Sequence, residues 1–251
     1  MIRVQKVSKI YGSKTVVDNV SLDIERGKIT SLIGANGAGK STLLSMISRL
    51  IKKDGGKIFV EGVEIGECDS NELAKKISIL KQSNHLNIRL TIKDLVSFGR
   101  FPYSKGRLTK EDREYIDDAI AYMELKDIEN KYLDQLSGGQ RQRAFIAMVL
   151  AQNTDYILLD EPLNNLDMKH SAQIMKVLRR LVEELDKTIV IVLHDINFAS
   201  FYSDSIVAMK DGKIVKEGHT EDMMDSGVLE HVYEMKIPIR MINGNRLAVY
   251  F

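Results

Sequence analysis

The chain has 251 residues, above the roughly 100–150 residues of a common single domain, so it could hold one large domain or two small ones. Lysine and arginine number 36 and aspartate and glutamate 35, which leaves a formal net charge of +1 and no overall electrostatic case for nucleic-acid binding. The longest apolar run, from Ala144 to Ala151, is far shorter than the roughly 20 residues that a membrane-spanning helix needs.

The first residues of the chain alternate apolar and polar side chains, which is typical of a strand. They contain no apolar signal core followed by small residues, so we expect a cytoplasmic protein. Cys68 is the single cysteine, which excludes an intramolecular disulfide bond and fits a reducing compartment. We interpret Cys68 as an unreactive structural thiol.

The first third of the chain predicts a strand, a glycine-rich loop and a helix in direct succession. Lys28–Ile33 has the pattern of a buried strand that leads directly into the loop, and Lys40–Leu50 has the pattern of a helix that begins at the end of the loop. Alternating apolar residues over Lys57–Ile65, with a turn near Glu61-Gly62, predict a hairpin. Ile77–Leu80 predicts another short strand.

The middle of the chain changes to helical periodicity. From Thr91 to Gln152 the segments, including Thr109–Leu125, have a helical period and no convincing strand, which predicts a helical insert. Strand patterns return at Tyr156–Asp160 and Thr188–Leu193. The amphipathic segment Met168–Leu185 between them predicts a helical crossover, and therefore a parallel sheet.

Two more hairpins are predicted in the last part of the chain. Ser205–Glu217 turns at Asp211-Gly212, and Ile237–Phe251 turns about Asn243-Gly244. The sequence has no repeat, no low-complexity tract and no Pro/Gly/Ser-rich linker, and it contains only three prolines. These features indicate one compact unit with two lobes.

The glycine-rich loop Gly34-Ala-Asn-Gly-Ala-Gly-Lys-Ser has the spacing of a phosphate-binding loop, placed after a strand and before a helix. Its glycines let the backbone amides wrap a polyphosphate, the Lys40 ammonium meets the β- and γ-phosphate charge, and the Ser41 hydroxyl is suited to bind Mg²⁺. The loop therefore predicts ATP and Mg²⁺ as ligands. Its predicted nucleotide-binding residues are Gly34, Asn36, Gly37, Gly39, Lys40, Ser41 and Thr42.

Two other motifs carry further chemistry. The strand Tyr156–Asp160 ends in adjacent carboxylates, Asp160 and Glu161, and the first of such a pair typically holds Mg²⁺ through water in P-loop enzymes. The segment Leu136-Ser137-Gly138-Gly139-Gln140 opens a predicted helix. Free backbone amides and a hydroxyl at the positive end of a helix form a surface that binds phosphate.

Together the phosphate-binding loop, the paired carboxylates and the Leu136–Gln140 motif resemble the ABC-type ATPases, and the resemblance covers nearly the whole chain. It implies an α/β fold with a P-loop NTPase core: a mainly parallel sheet, an antiparallel β subdomain and an inserted helical subdomain. Within a single nucleotide-binding domain over residues 1–251, we expect the helical subdomain at about 86–152 and a C-terminal extension at about 220–251.

The resemblance also implies roles for single residues. Glu161 matches the general base that polarises the attacking water, and His194, which follows a predicted strand, matches the histidine that contacts the γ-phosphate and orients this water. Gln82 matches a glutamine that contacts Mg²⁺ and reports the γ-phosphate to the transporter. Tyr11, followed by Gly12 and a strand, matches the aromatic residue that stacks on adenine. Asp160, with Ser41 and Gln82, completes the expected metal site.

In this family the Leu136–Gln140 motif closes on the γ-phosphate held by a partner chain, so the resemblance implies a head-to-tail homodimer with two shared sites. Ser137, Gly139 and Gln140 are the residues that match this contact. Asp167 matches a residue that joins the two sites, although the usual small residues before it are Asn164 and Asn165 here. The remaining histidines match no functional motif and are interpreted as surface residues: His85, His170, His219 and His231.

Three functions compete on these motifs. A nucleotide-binding module without turnover fits worst, because Lys40, Asp160, Glu161 and His194 are all present. The motor subunit of a membrane importer and a soluble ABC ATPase are harder to separate. The segment Gly99-Arg100-Phe101-Pro102, in the lobe where a permease docks in this family, resembles importers of iron–siderophores and related importers of haem and cobalamin.

We therefore expect a peripheral ATPase on the cytoplasmic face of the cell membrane that drives iron–siderophore uptake. Its expected partners are integral membrane permease subunits and, indirectly, an extracytoplasmic substrate-binding protein. Haem, cobalamin or another ABC import substrate, and a soluble ABC ATPase not engaged in transport, remain the alternatives.

Overall fold

The structure, a computed structural model, describes residues 1–82, 88–164 and 166–250. In chain order the strands within these ranges are β1 (Ile2–Tyr11), β2 (Lys14–Ile24), β3 (Ile29–Ile33), β4 (Gly55–Val60), β5 (Val63–Glu64), β6 (Ile77–Leu80), β7 (Tyr156–Asp160), β8 (Thr188–Val192), β9 (Ser205–Lys210), β10 (Lys213–His219), β11 (Ile239–Ile242) and β12 (Asn245–Ala248).

Most of the helices within these ranges lie after β6. In chain order the helices are α1 (Lys40–Ile47), α2 (Ser70–Lys76), α3 (Ile92–Ser97), α4 (Phe101–Ser104), α5 (Lys110–Tyr122), α6 (Gly138–Ala151), α7 (Met168–Leu185), α8 (Ile196–Tyr202), α9 (Thr220–Met223) and α10 (Ser226–Tyr233). Short 3₁₀ turns lie at Phe98–Arg100, Lys126–Ile128 and Leu133–Gln135.

The main sheet has the strand order β10-β9-β3-β8-β7-β6, and all its pairs are parallel except β9 with β10. Every residue of β3, β7 and β8 is buried, because helices or the second sheet cover both faces. This explains why β7 and β8 are nearly continuous apolar runs without alternation, whereas β3 also buries the polar residues Thr30 and Ser31. The second sheet, β2-β1-β4-β5, is antiparallel, as the predicted fold class requires.

The core consists of two layers, one on each face of the main sheet. Ile157 and Leu159 of β7 join the layer that includes the helical segments α3, α5 and α6, whereas Tyr156 and Leu158 join the layer between the sheet, α1 and the antiparallel sheet. Successive side chains of a strand point to opposite faces, so one short strand contributes to both layers.

All three predicted hairpin turns are present. At Glu61-Gly62, Asp211-Gly212 and Asn243-Gly244 both residues have positive φ, between 48° and 83°. Such two-residue turns match the twist of the strands that they join, and glycine in the second position allows this conformation without strain. Phe251, at the end of the last predicted hairpin, lies outside the described residues.

Two helices differ from the prediction in their boundaries. Helix α1 ends at Ile47 rather than Leu50, since Arg49 adopts a left-handed φ of 59°. Helix α5 begins at Lys110 because Thr109 is its N-cap, and Thr109 and Asp112 form a reciprocal capping box. The chain turns out of this helix before Glu124, whose φ is 55°.

Candidate nucleotide-binding site

The phosphate-binding loop leaves the buried strand β3 and leads directly into α1. Two of its glycines are required by their surroundings. Gly34 has a φ of 143°, and a Cβ there would lie 2.1 Å from the Met209 carbonyl oxygen. Gly39, the N-cap of α1, has a φ of 97°, and a Cβ would lie 2.5 Å from the Val16 carbonyl oxygen. The loop therefore packs tightly against neighbouring backbone at both ends.

Lys40 lies in the first turn of α1 and is only 5% exposed. Its ammonium donates to the carbonyl oxygens of Gly34 at 2.8 Å and Ala35 at 3.0 Å. Burial lowers the pKa of Lys40, and the nearby charges of Glu161 and Asp160 offset this only in part. The cation is thus held inside the loop by neutral carbonyl groups, in a position to meet an anion.

Ser41 and Asp160 come together although they are 119 residues apart in sequence. The Ser41 hydroxyl donates to Asp160 Oδ1 at 2.7 Å. Burial raises the pKa of Asp160, although the hydrogen bond from Ser41 opposes this rise. A hydroxyl and a carboxylate oxygen at this spacing are the hard oxygen ligands that Mg²⁺ prefers.

A cavity of about 130 Å³ lies over the loop. Its described lining residues are Val16, Asn36, Gly37, Ala38, Gly39, Lys40, Ser41, Thr42 and Glu161. All the predicted loop residues except Gly34 therefore face one space, which Glu161 borders. Gly34, the first residue of the loop, does not line this cavity; its carbonyl oxygen accepts a hydrogen bond from the Lys40 ammonium.

Glu161 follows β7 in a left-handed conformation, with a φ of 49°, which is uncommon for a residue with a side chain. Three side chains contact its carboxylate. Gln82 donates to Oε2 at 2.6 Å, the Asn164 amide also donates to Oε2, and His194 Nε2 lies 2.7 Å from Oε1. The carboxylate is thus fixed at the sheet edge where parallel strands end, the usual place for ligands in open α/β sheets.

Tyr11 ends β1 at the turn into β2. Its ring is 50% exposed, and the Lys9 ammonium lies 5.1 Å from the ring centroid. An exposed aromatic ring beside a cation offers a face on which a planar base can stack.

The Ser137 segment forms the start of α6. The Ser137 hydroxyl accepts from the Gln140 amide at 3.3 Å, and Gln140 Oε1 accepts from the Ser137 amide at 3.1 Å. Among the residues that the structure describes, neither of them nor Gly139 lines the cavity over the phosphate-binding loop. The structure therefore does not bring this predicted phosphate-binding surface to the loop of the same chain.

Two side chains to which the sequence motifs assign no catalytic or binding role contact the site residues. Asn164 holds Glu161, as described above. His170 lies against Gly139, where a Cβ would be 2.7 Å from its ring, and its Nδ1 is 2.7 Å from Asp167 Oδ2. In the sequence, His170 could have been found from its position three residues after Asp167 at the start of a helix. Asn164 could have been found only because it is larger than the residue that the family usually has there. Asn165 and His85 lie outside the described residues.

The Gly99–Pro102 segment is built around a buried arginine. Arg100 pairs with Asp112 at 2.8 Å and donates to the Ala151 carbonyl at 2.9 Å. Its guanidinium also stacks on the rings of Tyr103 and Tyr115, with centroid distances of 4.0 and 4.3 Å. Arg100 therefore organises the helical segments from within and is not available at their surface.

Comparison with known proteins agrees with this geometry. The sequence profile of the family described as "ABC transporter" matches residues 17–164, and the chain is 69% identical to the petrobactin import ATP-binding protein YclP of Bacillus subtilis (strain 168), with all of both chains covered. The chain belongs to the ABC transporter family. It is an ATPase of the ABC type, and its recognition from the loop, the carboxylates and the Leu136–Gln140 motif is confirmed.

Two further relatives of this ABC ATPase show the range of the similarity. The ferric enterobactin transport ATP-binding protein FepC of Escherichia coli (strain K12) is 37% identical over 95% of this chain and 89% of its own length. The cassette MJ0796, solved as a dimer in a post-hydrolysis state bound to ADP and Pi, is 35% identical with a TM-score of 0.78, over 88% of this chain and 99% of that one. The predicted fold class is therefore confirmed.

A membrane-spanning helix would have to be long and apolar. Within residues 1–82, 88–164 and 166–250, no helix of this ABC ATPase meets both conditions.

Proposed function

We propose that this chain is the ATP-hydrolysing subunit of an importer of iron–siderophore complexes. The observation that carries the proposal is the full-length identity of 69% with a petrobactin import ATP-binding protein, together with relatives named for hydroxamate and enterobactin transport. Of the functions left open by the motifs, siderophore import is favoured over haem and cobalamin import and over a soluble ATPase.

We assign the chemistry of the site to five residues. Lys40 binds the β- and γ-phosphates, and Ser41 with Asp160 holds Mg²⁺, which neutralises phosphate charge when bound. Glu161 acts as the general base on the attacking water, and its contacts with Gln82 and Asn164 hold the carboxylate in place. His194, 2.7 Å from Glu161, orients the γ-phosphate and the water.

The remaining site residues position the nucleotide. Backbone amides of the loop over Asn36, Gly37, Gly39 and Thr42 cradle the phosphates, and Tyr11 stacks on the adenine. Gln82 additionally contacts Mg²⁺. Among the described residues no three His, Cys, Asp or Glu side chains are grouped to hold a metal. Mg²⁺ bound by one carboxylate, a hydroxyl and substrate phosphates needs no such group.

We propose that two chains share each nucleotide in a head-to-tail dimer. The start of α6, with Ser137, Gly139 and Gln140, would close on the phosphates held by the partner's loop, and Asp167 would join the two sites. Within one chain, Ser137, Gly139 and Gln140 do not line the cavity over the phosphate-binding loop, which supports this proposal. The dimeric state of the MJ0796 cassette supports it as well. His170, packed on Gly139 and bonded to Asp167, would keep these two parts in register.

The helical subdomain, about residues 86–152, is the proposed docking surface for the permease. Phe98, Phe101 and Tyr103 are 47%, 60% and 38% exposed there, around the buried Arg100. Exposed aromatic residues on a rigid support are typical of protein interfaces. Docking places the ATPase on the cytoplasmic face of the cell membrane, where it serves an extracytoplasmic binding protein through the permease.

Transport by iron-starved cells tests this function. A strain that lacks the gene is complemented with the wild type, with Lys40→Ala or with Lys176→Ala, which alters an exposed lysine of α7. Lys40→Ala should abolish energy-dependent accumulation of radiolabelled ferric petrobactin while extracellular capture continues, and Lys176→Ala should transport normally.

A panel of ferric petrobactin, ferric hydroxamate, ferric enterobactin, haem and cobalamin identifies the cargo class. Loss of haem or cobalamin uptake with every siderophore unaffected would contradict siderophore import but not the ATPase. If the protein failed to sediment with membranes even when its permease is present, the soluble ATPase would be favoured instead.

A further inference from the structure

The C-terminal extension contacts the phosphate-binding loop at its first residue. Helix α10 ends at Tyr233, and the Tyr233 hydroxyl oxygen accepts a hydrogen bond from the Gly34 amide at 3.1 Å. The two residues are 199 positions apart in sequence. This contact therefore joins the last helix of the chain to the nucleotide site described above.

Both polar groups of Gly34 are engaged. Its N–H donates to Tyr233, and its carbonyl oxygen accepts from the Lys40 ammonium at 2.8 Å. The residue also has a φ of 143° and passes against the backbone of Met209. Because a backbone N–H that loses its partner in the interior is costly, the hydroxyl stabilises this one orientation of the peptide.

The end of α10, which carries Tyr233, is held against strand β9 by contacts of its neighbours. Lys210, directly after Met209 in the same strand, donates to the His231 carbonyl at 2.9 Å and pairs with Glu234 at 2.8 Å. Val232 beside it is buried. The end of α10 is thus tied to the strand that Gly34 touches.

Tyr233 remains a neutral hydroxyl under ordinary conditions. Burial raises its pKa to about 12, even though the hydrogen bond from Gly34 opposes the rise. Removal of the hydroxyl alone, with the ring retained, is therefore a clean way to remove the acceptor.

We propose that Tyr233 is a positioning residue for nucleotide binding, which acts through Gly34 to hold the phosphate-binding loop in its binding conformation before ATP arrives. A loop that is ordered in advance loses less conformational freedom when it binds its ligand. The C-terminal extension is then part of the nucleotide site, and contacts made by this extension can alter ATP affinity. The inference rests on the proposed role of Lys40 and the loop in binding phosphate.

The test compares two tyrosine-to-phenylalanine variants in the full-length protein. Tyr233→Phe removes the acceptor of Gly34. Tyr122→Phe is the matched control. Tyr122 lies at the end of α5, away from the loop, and its hydroxyl donates to Glu184 at 3.0 Å. Burial also raises the pKa of Tyr122 to about 12. Tyr233→Phe should raise the Kd and KM for ATP about five-fold, the size expected for one net hydrogen bond, with kcat little changed.

Hydrogen exchange gives a second readout. The peptide that contains Gly34 should exchange faster in Tyr233→Phe and as in the wild type in Tyr122→Phe. An unchanged ATP affinity in Tyr233→Phe, an equal loss in both variants, or a lower kcat and melting temperature without a change in Kd would each overturn the inference. Lys40→Ala is measured alongside, because normal ATP binding by that variant would contradict the proposed nucleotide site itself.

Discussion

Two buried cations of this chain, Lys40 in the phosphate-binding loop and Arg100 in the helical lobe, have different surroundings. Arg100 is paired with Asp112, bonded to a carbonyl and stacked on two tyrosine rings. Lys40 donates to two carbonyl oxygens, and no carboxylate of the described residues forms an ion pair with it. The charge of Arg100 is thus balanced by a carboxylate of the protein itself, whereas the Lys40 ammonium can still pair with the charge of an anionic ligand.

The carboxylates of the two regions differ in the same way. Burial raises the pKa of Asp160, and the hydrogen bond from Ser41 and the charge of Lys40 oppose this rise. Burial also acts to raise the pKa of Asp112, but hydrogen bonds from Thr109 and Arg100 outweigh it and hold this pKa below its ordinary value. Removal of one partner of the Arg100–Asp112 pair would leave a buried charge without a partner, which costs stability. The shifted pKa values of Lys40 and Asp160, in contrast, favour a ligand site.

The largest expected effect is on turnover and lies in the nucleotide site. Glu161→Gln keeps the shape of the side chain but loses the charge that polarises water, so the rate of phosphate release should fall at least about 100-fold. ATP binding should persist, and ATP-bound dimers should accumulate. Steady-state phosphate release and size-exclusion chromatography measure both. Near-normal hydrolysis by this variant would remove Glu161 from the role of general base.

A second change asks whether the nucleotide site is complete within one chain. Ser137→Arg should block closure over the phosphate-binding loop of the partner chain, and a dimer of two such chains should therefore lose hydrolysis at both sites. A mixture of Ser137→Arg chains with Lys40→Ala chains should regain activity, about a quarter of the wild-type level if half of the dimers are mixed and each has one intact site.

The control places both substitutions in one chain and mixes it with an equal amount of wild-type chains, so that mixed dimers contain no intact site. The activity of the wild-type chains should then fall to about half of what they show without the double variant, whereas it would stay unchanged if each chain held a complete site. Full hydrolysis by pure Ser137→Arg would show that each chain is self-sufficient.

A smaller effect, on stability rather than on chemistry, is expected in the helical lobe. Asp112→Asn leaves Arg100 buried without its carboxylate, which should lower the free energy of unfolding by about 3 kcal/mol. ATP affinity should stay close to that of the wild type. Urea unfolding and nucleotide titration measure the two quantities. Asp117→Asn is a suitable control, because Asp117 forms its ion pairs at the surface.

The pH dependence of this stability has a defined sign. The folded-state pKa of Asp112 lies below its ordinary value of 3.8, so its ionised form contributes stability above that pH, and the contribution is lost as the pH falls through the folded-state pKa. The difference in the free energy of unfolding between the wild type and Asp112→Asn should therefore be largest near neutral pH and shrink below about pH 4. A difference that grows on acidification would contradict the pairing.

Much of the fold followed from local sequence patterns. The apolar runs of β3, β7 and β8 and the amphipathic period of α7 predicted a parallel sheet with a helical crossover, and the Asp-Gly and Asn-Gly pairs predicted two of the hairpins. These features depend on neighbours within a few residues, which is why periodicity and turn chemistry are sufficient to find them.

The contacts that were not predicted join distant parts of the chain. The Tyr233–Gly34 hydrogen bond and the packing of His170 on Gly139 depend on how helices lie against the loop and against each other. No local pattern encodes such packing. Arg100 was noticed as part of a motif, but only its burial with Asp112 shows that it supports the lobe from inside.

Thermal unfolding with and without Mg²⁺ and ATP tests the contrast between the two regions most directly. Asp112→Asn should lower the melting temperature of the nucleotide-free protein by roughly 10 °C and keep the rise caused by nucleotide. Lys40→Met should leave the nucleotide-free protein within about 3 °C of the wild type and lose the rise. A Lys40→Met protein that is destabilised as much as Asp112→Asn, or that still gains stability from nucleotide, would contradict the assignment of Lys40 to ligand binding rather than to the fold.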